Sequence, residues 1–108
     1  MQKRILIADD HFVVRAGVAA ILRTTYPNLK IDSAENYGRV KESLTSNQYD
    51  LLLLDIDMPG TKYTEMIPEL KNIQKDLKIL IFSAYDQNVA LQYIRKGADG
   101  YLNKLGTI

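Results

Sequence analysis

The 108-residue sequence contains no cysteine, which excludes disulfide bonds, thiolate metal sites and cysteine nucleophiles. It also lacks any apolar run approaching the ~20 residues that a membrane-spanning helix needs. Its first segment, MQKRILIADD, becomes acidic after a short apolar stretch, so it has no secretory h-region or small-residue cleavage site. We therefore expect a cytoplasmic protein that has no membrane partner.

A strong charge of either sign is also missing. The formal net charge is +1, so no overall field favours nucleic acid or an anionic membrane. Low-complexity tracts, internal repeats and linkers rich in Pro, Gly or Ser are absent as well. The 46% hydrophobic and 25% charged residues are typical of one ordinary globular domain, and DNA binding would need another domain.

Short apolar runs alternate with segments of helical period along the chain. Three runs, ILIA, LLLL and ILIF, are nearly continuous, as in strands that a parallel sheet buries on both faces. Strands are predicted at Ile5–Ala8, Leu29–Ala34, Leu51–Leu54, Leu77–Phe82 and Gly100–Leu102. The alternation predicts an α/β doubly wound sheet, for which the flavodoxin-like order 2-1-3-4-5 is one solution. The sequence stops soon after the fifth strand, so a fifth helix is expected to be missing.

Each of the four predicted helices has an apolar face at helical spacing. The first face is predicted to contain Val13, Val14, Val18, Ile21 and Leu22, with the helix ending before Pro27. The fourth ends in Arg95-Lys96-Gly97, where cations suit the last turn and glycine suits a C-terminal cap.

Polar residues with complementary chemistry follow the predicted strands. Asp9 and Asp10 follow the first strand, Asp55 ends the third, Ser83 ends the fourth and Lys104 follows the fifth. Ligands of open α/β sheets bind at the carboxyl ends of strands, so these side chains are expected to share one pocket. Each of them alone is commonly a cap, a turn residue or a solvated charge. Their joint appearance at the right strand ends favours a common site.

The expected pocket suits phosphoryl transfer. Carboxylates held this close repel each other, and Mg²⁺, which prefers oxygen ligands, relieves that repulsion. An aspartate can act as a nucleophile and carry an aspartyl phosphate. The charge on the transferred phosphoryl oxygens then needs neutralisation, which the metal, Lys104 and the Ser83 hydroxyl could supply.

Four motifs in order resemble the receiver domain of bacterial two-component response regulators, over residues 3 to 105. They are ILIADDH, LLLLDIDMPG, ILIFSA and GADGYLNK. The resemblance implies that Asp55 accepts a phosphoryl group from a sensor histidine kinase or a phosphotransfer protein. It implies a signalling phosphoacceptor with self-phosphorylation and autodephosphorylation only, not a separate enzyme.

The resemblance also assigns roles to the neighbours of Asp55. Asp10 would bind Mg²⁺ directly and Asp9 through water, and the backbone carbonyl of Asp57 would be a further ligand. Lys104 would contact the phosphoryl group. The remaining implied residues are the switch pair Ser83 and Tyr101, the small Ala84 that leaves the acceptor open, and Asp57 and Tyr85, which flank its entrance.

The stretch DDHFVVRAGV is similar to regulators with a LuxR/NarL-type helix-turn-helix output. That narrower resemblance rests on His11, Arg15 and Gly17, and DNA binding would belong to a part outside these 108 residues. It leaves homodimerisation open. His11 alone is expected to be a surface residue at a helix start. The family turn commonly reads MPG-x-D/S-G, whereas this chain has Tyr63 in place of the last glycine, so a reshaped loop is expected.

Three other functions remain to be weighed. Asp55-Ile56-Asp57 with Gly60-Thr61 faintly resembles the D-x-D-G-T motif of haloacid-dehalogenase phosphatases, but Met58-Pro59 interrupts it. A flavodoxin-type flavin module would need a phosphate-binding loop where this chain has repelling carboxylates. The third alternative is a receiver-like interaction module that is never phosphorylated.

Overall fold

Five parallel strands form one sheet in the computed structural model, which describes residues 2–61, 63–84 and 87–104. The strands are β1 (Arg4–Ala8), β2 (Lys30–Ala34), β3 (Leu51–Leu54), β4 (Lys78–Ser83) and β5 (Gly100–Asn103). The helices are α1 (Phe12–Thr25), α2 (Tyr37–Ser46), α3 (Met66–Ile73) and α4 (Gln87–Arg95). The order β2-β1-β3-β4-β5 confirms the predicted topology.

The register of the sheet aligns the carboxyl ends of its central strands. Ala8 lies opposite Leu54 in the β1–β3 pair, and Ser83 lies opposite Asn103 in the β4–β5 pair. The residues that follow these strands therefore emerge along one edge of the sheet.

Alternate residues of the strands form two cores. Leu6, Leu52 and Ile79 face the larger core, which they share with buried side chains of α2, α3 and α4. The residues that alternate with them, such as Ile7 and Leu53, point to the other face of the sheet and form a smaller core with Ala19 of α1. Parallel strands buried between helices account for the nearly continuous apolar runs in the sequence.

The prediction for the first helix is wrong at two of its five positions. Val18 and Leu22 pack against the smaller core, but Val13 and Ile21 are 78% and 70% exposed. Successive residues of a helix are rotated by about 100° around its axis, so these five side chains spread over a wide arc of the helix surface. The contact of one helix with a sheet cannot bury an arc of that width. Among the described residues, α1 is the one helix on this face, so nothing flanks it to bury Val13 and Ile21.

Two glycines adopt backbone conformations that other residues disfavour. Gly97 has φ +117 after α4, as predicted for a C-terminal cap. Gly60 has φ +87, and a β-carbon there would lie 2.9 Å from Cβ of Tyr37. The MPG turn is thus both left-handed and tightly packed against the start of α2.

Within the described part of the chain, the α1 face of the sheet is partly open towards β5. Leu102 is 49% exposed and shares this face with Leu80, because paired residues of parallel strands point the same way. The predicted absence of a fifth helix concerns residues outside the described part of the chain. No helix of the described residues is long and apolar enough to cross a membrane.

We expect the 108-residue chain to self-associate through this open apolar face, because exposed apolar patches favour association. The double variant Ile21→Lys/Leu102→Lys places charges on the face and should shift sedimentation velocity profiles towards monomer. Thr45→Lys, an exposed change on α2, is the matched control and should leave the profile unchanged. A wild-type chain that stays monomeric at high concentration would contradict this expectation.

Candidate functional site

The sheet places two acidic side chains next to each other at its carboxyl edge. Asp9 follows β1, and its amide donates to the carbonyl of Ala34 (3.0 Å). Asp55 follows β3, and its amide donates to the carbonyl of Ala8 (2.9 Å). These extensions of the strand ladders fix both backbones, and both residues are 0% exposed. The carboxylates are therefore held inside the protein at a fixed separation.

Among the described residues, Lys104 is the one cation that contacts both acids. Its Nζ lies 2.5 Å from Oδ2 of Asp9 and 3.0 Å from Oδ2 of Asp55. Its backbone amide donates to the carbonyl of Ser83 (2.9 Å), which extends the β4–β5 ladder to the site. Both distances lie within hydrogen-bonding range, so the ammonium makes charge-assisted contacts with both carboxylates. Two negative charges thus share one positive charge.

The pKa values reflect this imbalance. Burial raises the pKa of Asp55, and the negative charge of Asp9 raises it further. The amide of Asp57, which donates to Oδ1 of Asp55 (2.8 Å), and the ammonium of Lys104 oppose that rise without cancelling it. Burial alone would lower the pKa of Lys104, but attraction to Asp9 and Asp55 outweighs burial and raises it. The lysine is therefore held in its charged form, while Asp55 resists ionisation.

The site offers a set of ligand atoms for a divalent cation. One ligand atom from each of Asp9, Asp10, His11 and Asp55 lies within 4.8 Å of the others. Asp10 is exposed, which leaves the group accessible from solvent. Three carboxylates, two of them buried and short of hydrogen-bond donors, fit the hard, oxygen-rich coordination that Mg²⁺ prefers.

Two residues beside the acids contribute more than the sequence indicated. His11 is mostly exposed, as expected, but its Nδ1 lies 3.0 Å from Oδ1 of Asp9 and 3.1 Å from Oδ1 of Asp10. The guanidinium of Arg15 donates to the carbonyl of Asp9 (2.7 Å). The position of His11 directly after the acidic pair in the sequence could have indicated its contact with both acids. Arg15 lies one turn into α1, and only the helical geometry brings it back to Asp9.

The remaining predicted site residues differ in burial, and one of them lies outside the described residues. Ser83 is fully buried at the end of β4, and Ala84 follows it on the surface. Tyr101 is partly buried and packs against the larger core. The side chain of Asp57 is exposed, and its backbone carbonyl remains a predicted metal ligand. Tyr85 lies outside the described residues.

The β3–α3 loop, described at residues 55–61 and 63–65, contains the departure from the family motif. The Tyr63 hydroxyl donates to Oε1 of Glu69 (3.2 Å), which also accepts from the Tyr37 hydroxyl (2.7 Å). The two tyrosine rings meet edge to face with centroids 6.0 Å apart. Tyr63 therefore joins the loop to α2 and α3 through its side chain, where a glycine could make no such contact.

Comparison with known proteins agrees with this geometry. The family model of the response regulator receiver domain matches residues 5–107. The oxygen regulatory protein NreC of Staphylococcus carnosus is 35% identical over 104 residues, covering 94% of this chain and 48% of NreC. The nitrate/nitrite response regulator protein NarL of Escherichia coli K12 is 32% identical over 102 residues, covering 93% of this chain and 47% of NarL. The chain thus spans about half the length of these curated relatives.

Solved structures give the same result. The response regulator TrrA of Thermotoga maritima, crystallised in complex with Mg(2+)-BeF, aligns with a TM-score of 0.81 at 34% identity, covering 94% of this chain and 86% of TrrA. A CheY-like receiver domain protein of Methanospirillum hungatei has the same fold, with a TM-score of 0.86 at 23% identity over 99% of this chain and 85% of that chain. The family model over residues 5–107 and these relatives show that the chain belongs to the response regulator receiver family and is the receiver domain of a two-component response regulator.

Proposed function

We propose that Asp55 is the phosphoacceptor of this receiver domain and that the reaction depends on Mg²⁺. The observation that carries the proposal is the buried pair of Asp9 and Asp55, which contacts a single ammonium at the carboxyl edge of the sheet. Asp55 is the member of that pair whose strand is central in the sheet and whose loop bears the family turn. TrrA, which is 34% identical, was crystallised with magnesium and beryllofluoride.

The chemistry assigned to Asp55 is a displacement at phosphorus. A carboxylate oxygen of Asp55 forms the new O–P bond, while the P–N bond to a donor histidine breaks and its electron pair leaves with the imidazole. Lys104, already in contact with Asp55, is placed to neutralise the phosphoryl oxygens. The Ser83 hydroxyl is proposed to donate to the same group. Attack by water on the acyl phosphate later returns Asp55 and inorganic phosphate.

The proposed magnesium ligands combine the acidic set with the ligand roles that the receiver resemblance implies. Asp10 and Asp55 would bind the ion directly, Asp9 through water and Asp57 through its backbone carbonyl. When bound, the ion supplies positive charge to the carboxylates and to the transferred phosphoryl oxygens. Because His11 contacts both Asp9 and Asp10, its side chain must turn away or rearrange when those oxygens bind a metal.

Phosphorylation is proposed to switch the surface of α4 and β5. Ser83 ends β4, which pairs with β5, and the backbone of Lys104 is bonded to Ser83. A new dianion that attracts Ser83 and Lys104 would thus act on both strands, and Tyr101 would follow Ser83 inward. Reversing a 1:99 population needs about 5.5 kcal/mol, which a few charge-assisted hydrogen bonds of roughly 1.5–3 kcal/mol each can supply.

The partners of the site are proposed from the family. A sensor histidine kinase or phosphotransfer protein would supply the phosphoryl group, and the reaction would take place in the cytoplasm. DNA binding would reside in a helix-turn-helix part outside these 108 residues, and a homodimer would be a possible active form. The domain itself would catalyse only its own phosphorylation and dephosphorylation.

The alternative functions fit the site less well. In a haloacid-dehalogenase arrangement Thr61 would belong to the catalytic motif, whereas here its buried hydroxyl donates to the backbone carbonyls of Asp55 and Met58. A flavin phosphate would meet the carboxylates of Asp9 and Asp10 after β1. A receiver-like module that is never phosphorylated would not account for the burial of two carboxylates, Asp9 and Asp55, against a single ammonium.

We expect one labile phosphoryl adduct after incubation with acetyl phosphate and Mg²⁺, measured by intact mass. Asp55→Asn should abolish the adduct because it removes the nucleophile, and EDTA should abolish it because it removes the metal. Asp57→Asn, a change of the same charge on an exposed side chain two residues away, should retain the adduct. An adduct that persists in Asp55→Asn would contradict the site assignment. Wild-type turnover of p-nitrophenyl phosphate would favour the phosphatase alternative.

We also expect Asp55→Asn to stabilise the metal-free protein at pH 7. Because the folded state raises the pKa of Asp55, it binds more protons than the unfolded state between the two pKa values, and stability falls as pH rises through that window. Removing the charge should raise Tm by roughly 4–8 °C, which corresponds to about 1 kcal/mol in a small domain. The gain should shrink towards pH 4 and with saturating Mg²⁺.

Thermal melts followed by circular dichroism provide the measurement, and Asp57→Asn is again the control. Because its carboxylate is exposed, its change of Tm at pH 7 should be smaller than that of Asp55→Asn. A lower Tm for Asp55→Asn than for the wild type at pH 7 would show that the pairing of Asp55 with Lys104 outweighs the burial of its charge.

A further inference from the structure

The β3–α3 loop is folded back onto Asp55 by one buried threonine. Thr61 is 0% exposed, and its hydroxyl lies 2.7 Å from the carbonyl oxygen of Met58 and 3.1 Å from that of Asp55. Its amide donates to Met58 as well (3.2 Å). The position of Thr61 and the backbone around the acceptor are thus fixed by the same hydrogen bonds.

A second buried residue connects this turn to α4. The hydroxyl of Tyr93 donates to the carbonyl of Thr61 (3.1 Å), across 32 residues of sequence. Tyr93 is 5% exposed, and its ring belongs to the larger core. Burial raises the pKa of its hydroxyl, so the group remains a donor through the physiological range. The carbonyl of Asp55 is therefore linked to α4 through two hydrogen bonds of Thr61.

We infer that Tyr93 is a positioning residue, whose hydroxyl fastens the β3–α3 loop to α4 and thereby couples the conformation of the phosphorylation site to the position of that helix. The link between this coupling and phosphorylation rests on the proposed function. The attachment of the loop to α4 by Tyr93 does not, because it is present in the metal-free protein. Coupling is reciprocal, so a change at Asp55 that moves Thr61 must act on α4, and a partner bound to α4 must act on the loop.

The simpler alternative is that the Tyr93 hydroxyl merely satisfies its own hydrogen-bonding requirement inside the core. Tyr49 allows the two interpretations to be separated. Its ring is similarly buried, and its hydroxyl donates to Asp32 of β2 (2.6 Å), which also pairs with Arg4 of β1. Replacing either tyrosine by phenylalanine removes one hydrogen-bonded hydroxyl and keeps the ring. Only Tyr93→Phe should loosen the loop.

The first experiment is hydrogen exchange on the metal-free 108-residue chain. A buried hydrogen bond contributes roughly 0.5–1.5 kcal/mol, so Tyr93→Phe should speed exchange of the Thr61 amide roughly two- to tenfold relative to the wild type. Tyr49→Phe should leave that amide within the change expected from its overall stability, which a thermal melt measures. Equal exchange of the Thr61 amide in Tyr93→Phe and Tyr49→Phe would overturn the inference.

The second experiment tests the coupling with Mg²⁺ and beryllofluoride as the probe. In the wild type and Tyr49→Phe, addition of the probe should alter amide exchange in α4, and in Tyr93→Phe that response should be smaller by at least twofold at equal saturation. An undiminished response in Tyr93→Phe would refute the coupling. A wild type that does not bind beryllofluoride would instead refute the proposed function, while the metal-free measurement would still decide whether Tyr93 fastens the loop.

Discussion

The structure depends on one electrostatic constraint: two carboxylates are buried side by side with a single ammonium between them. Burial drives Asp55 towards the neutral form, and the negative charge of Asp9 beside it adds to that tendency. Lys104 removes part of the penalty but leaves one negative charge in excess. A site in this condition gains free energy from any added cation, and its charge balance changes again when a phosphoryl group arrives. The same imbalance therefore explains affinity for metal and sensitivity to phosphorylation.

The sheet imposes this constraint through topology. Because β1 and β3 are neighbours and parallel, Asp9 and Asp55 follow them at the same edge, and the ladder hydrogen bonds to Ala34 and Ala8 prevent them from moving apart. Lys104 reaches them from β5, two strands away from β3, by an extended side chain that is itself mostly buried. The larger core beneath, filled by fully buried residues such as Leu54 and Ile81, makes the edge rigid enough to hold like charges together.

Much of this arrangement could be predicted from the sequence, because strand periodicity and strand ends are local signals. The runs ILIA, LLLL and ILIF indicated the central strands, and the parallel order then brought Asp9, Asp55 and Lys104 together. What could not be predicted depends on contacts between distant elements. The exposure of Val13 and Ile21 depends on what flanks α1, and the contact of Arg15 with Asp9 depends on how α1 leaves the sheet. Apolar periodicity shows that a helix has a buried face without showing how wide that face is.

Tyr93 shows the same difference between local sequence signals and contacts of distant elements, here inside the core. Its ring is buried in the larger core, as an apolar position of an amphipathic helix would be. No sequence signal marks the polar end of the side chain, since the Thr61 carbonyl that accepts from it belongs to a loop whose course depends on Gly60 and on packing against Tyr37. A hydroxyl that must find an acceptor in a water-free core can therefore connect two elements that the hydrophobic pattern treats as independent. In this domain the two elements are the loop that carries Asp55 and the helix whose surface is proposed to report on it.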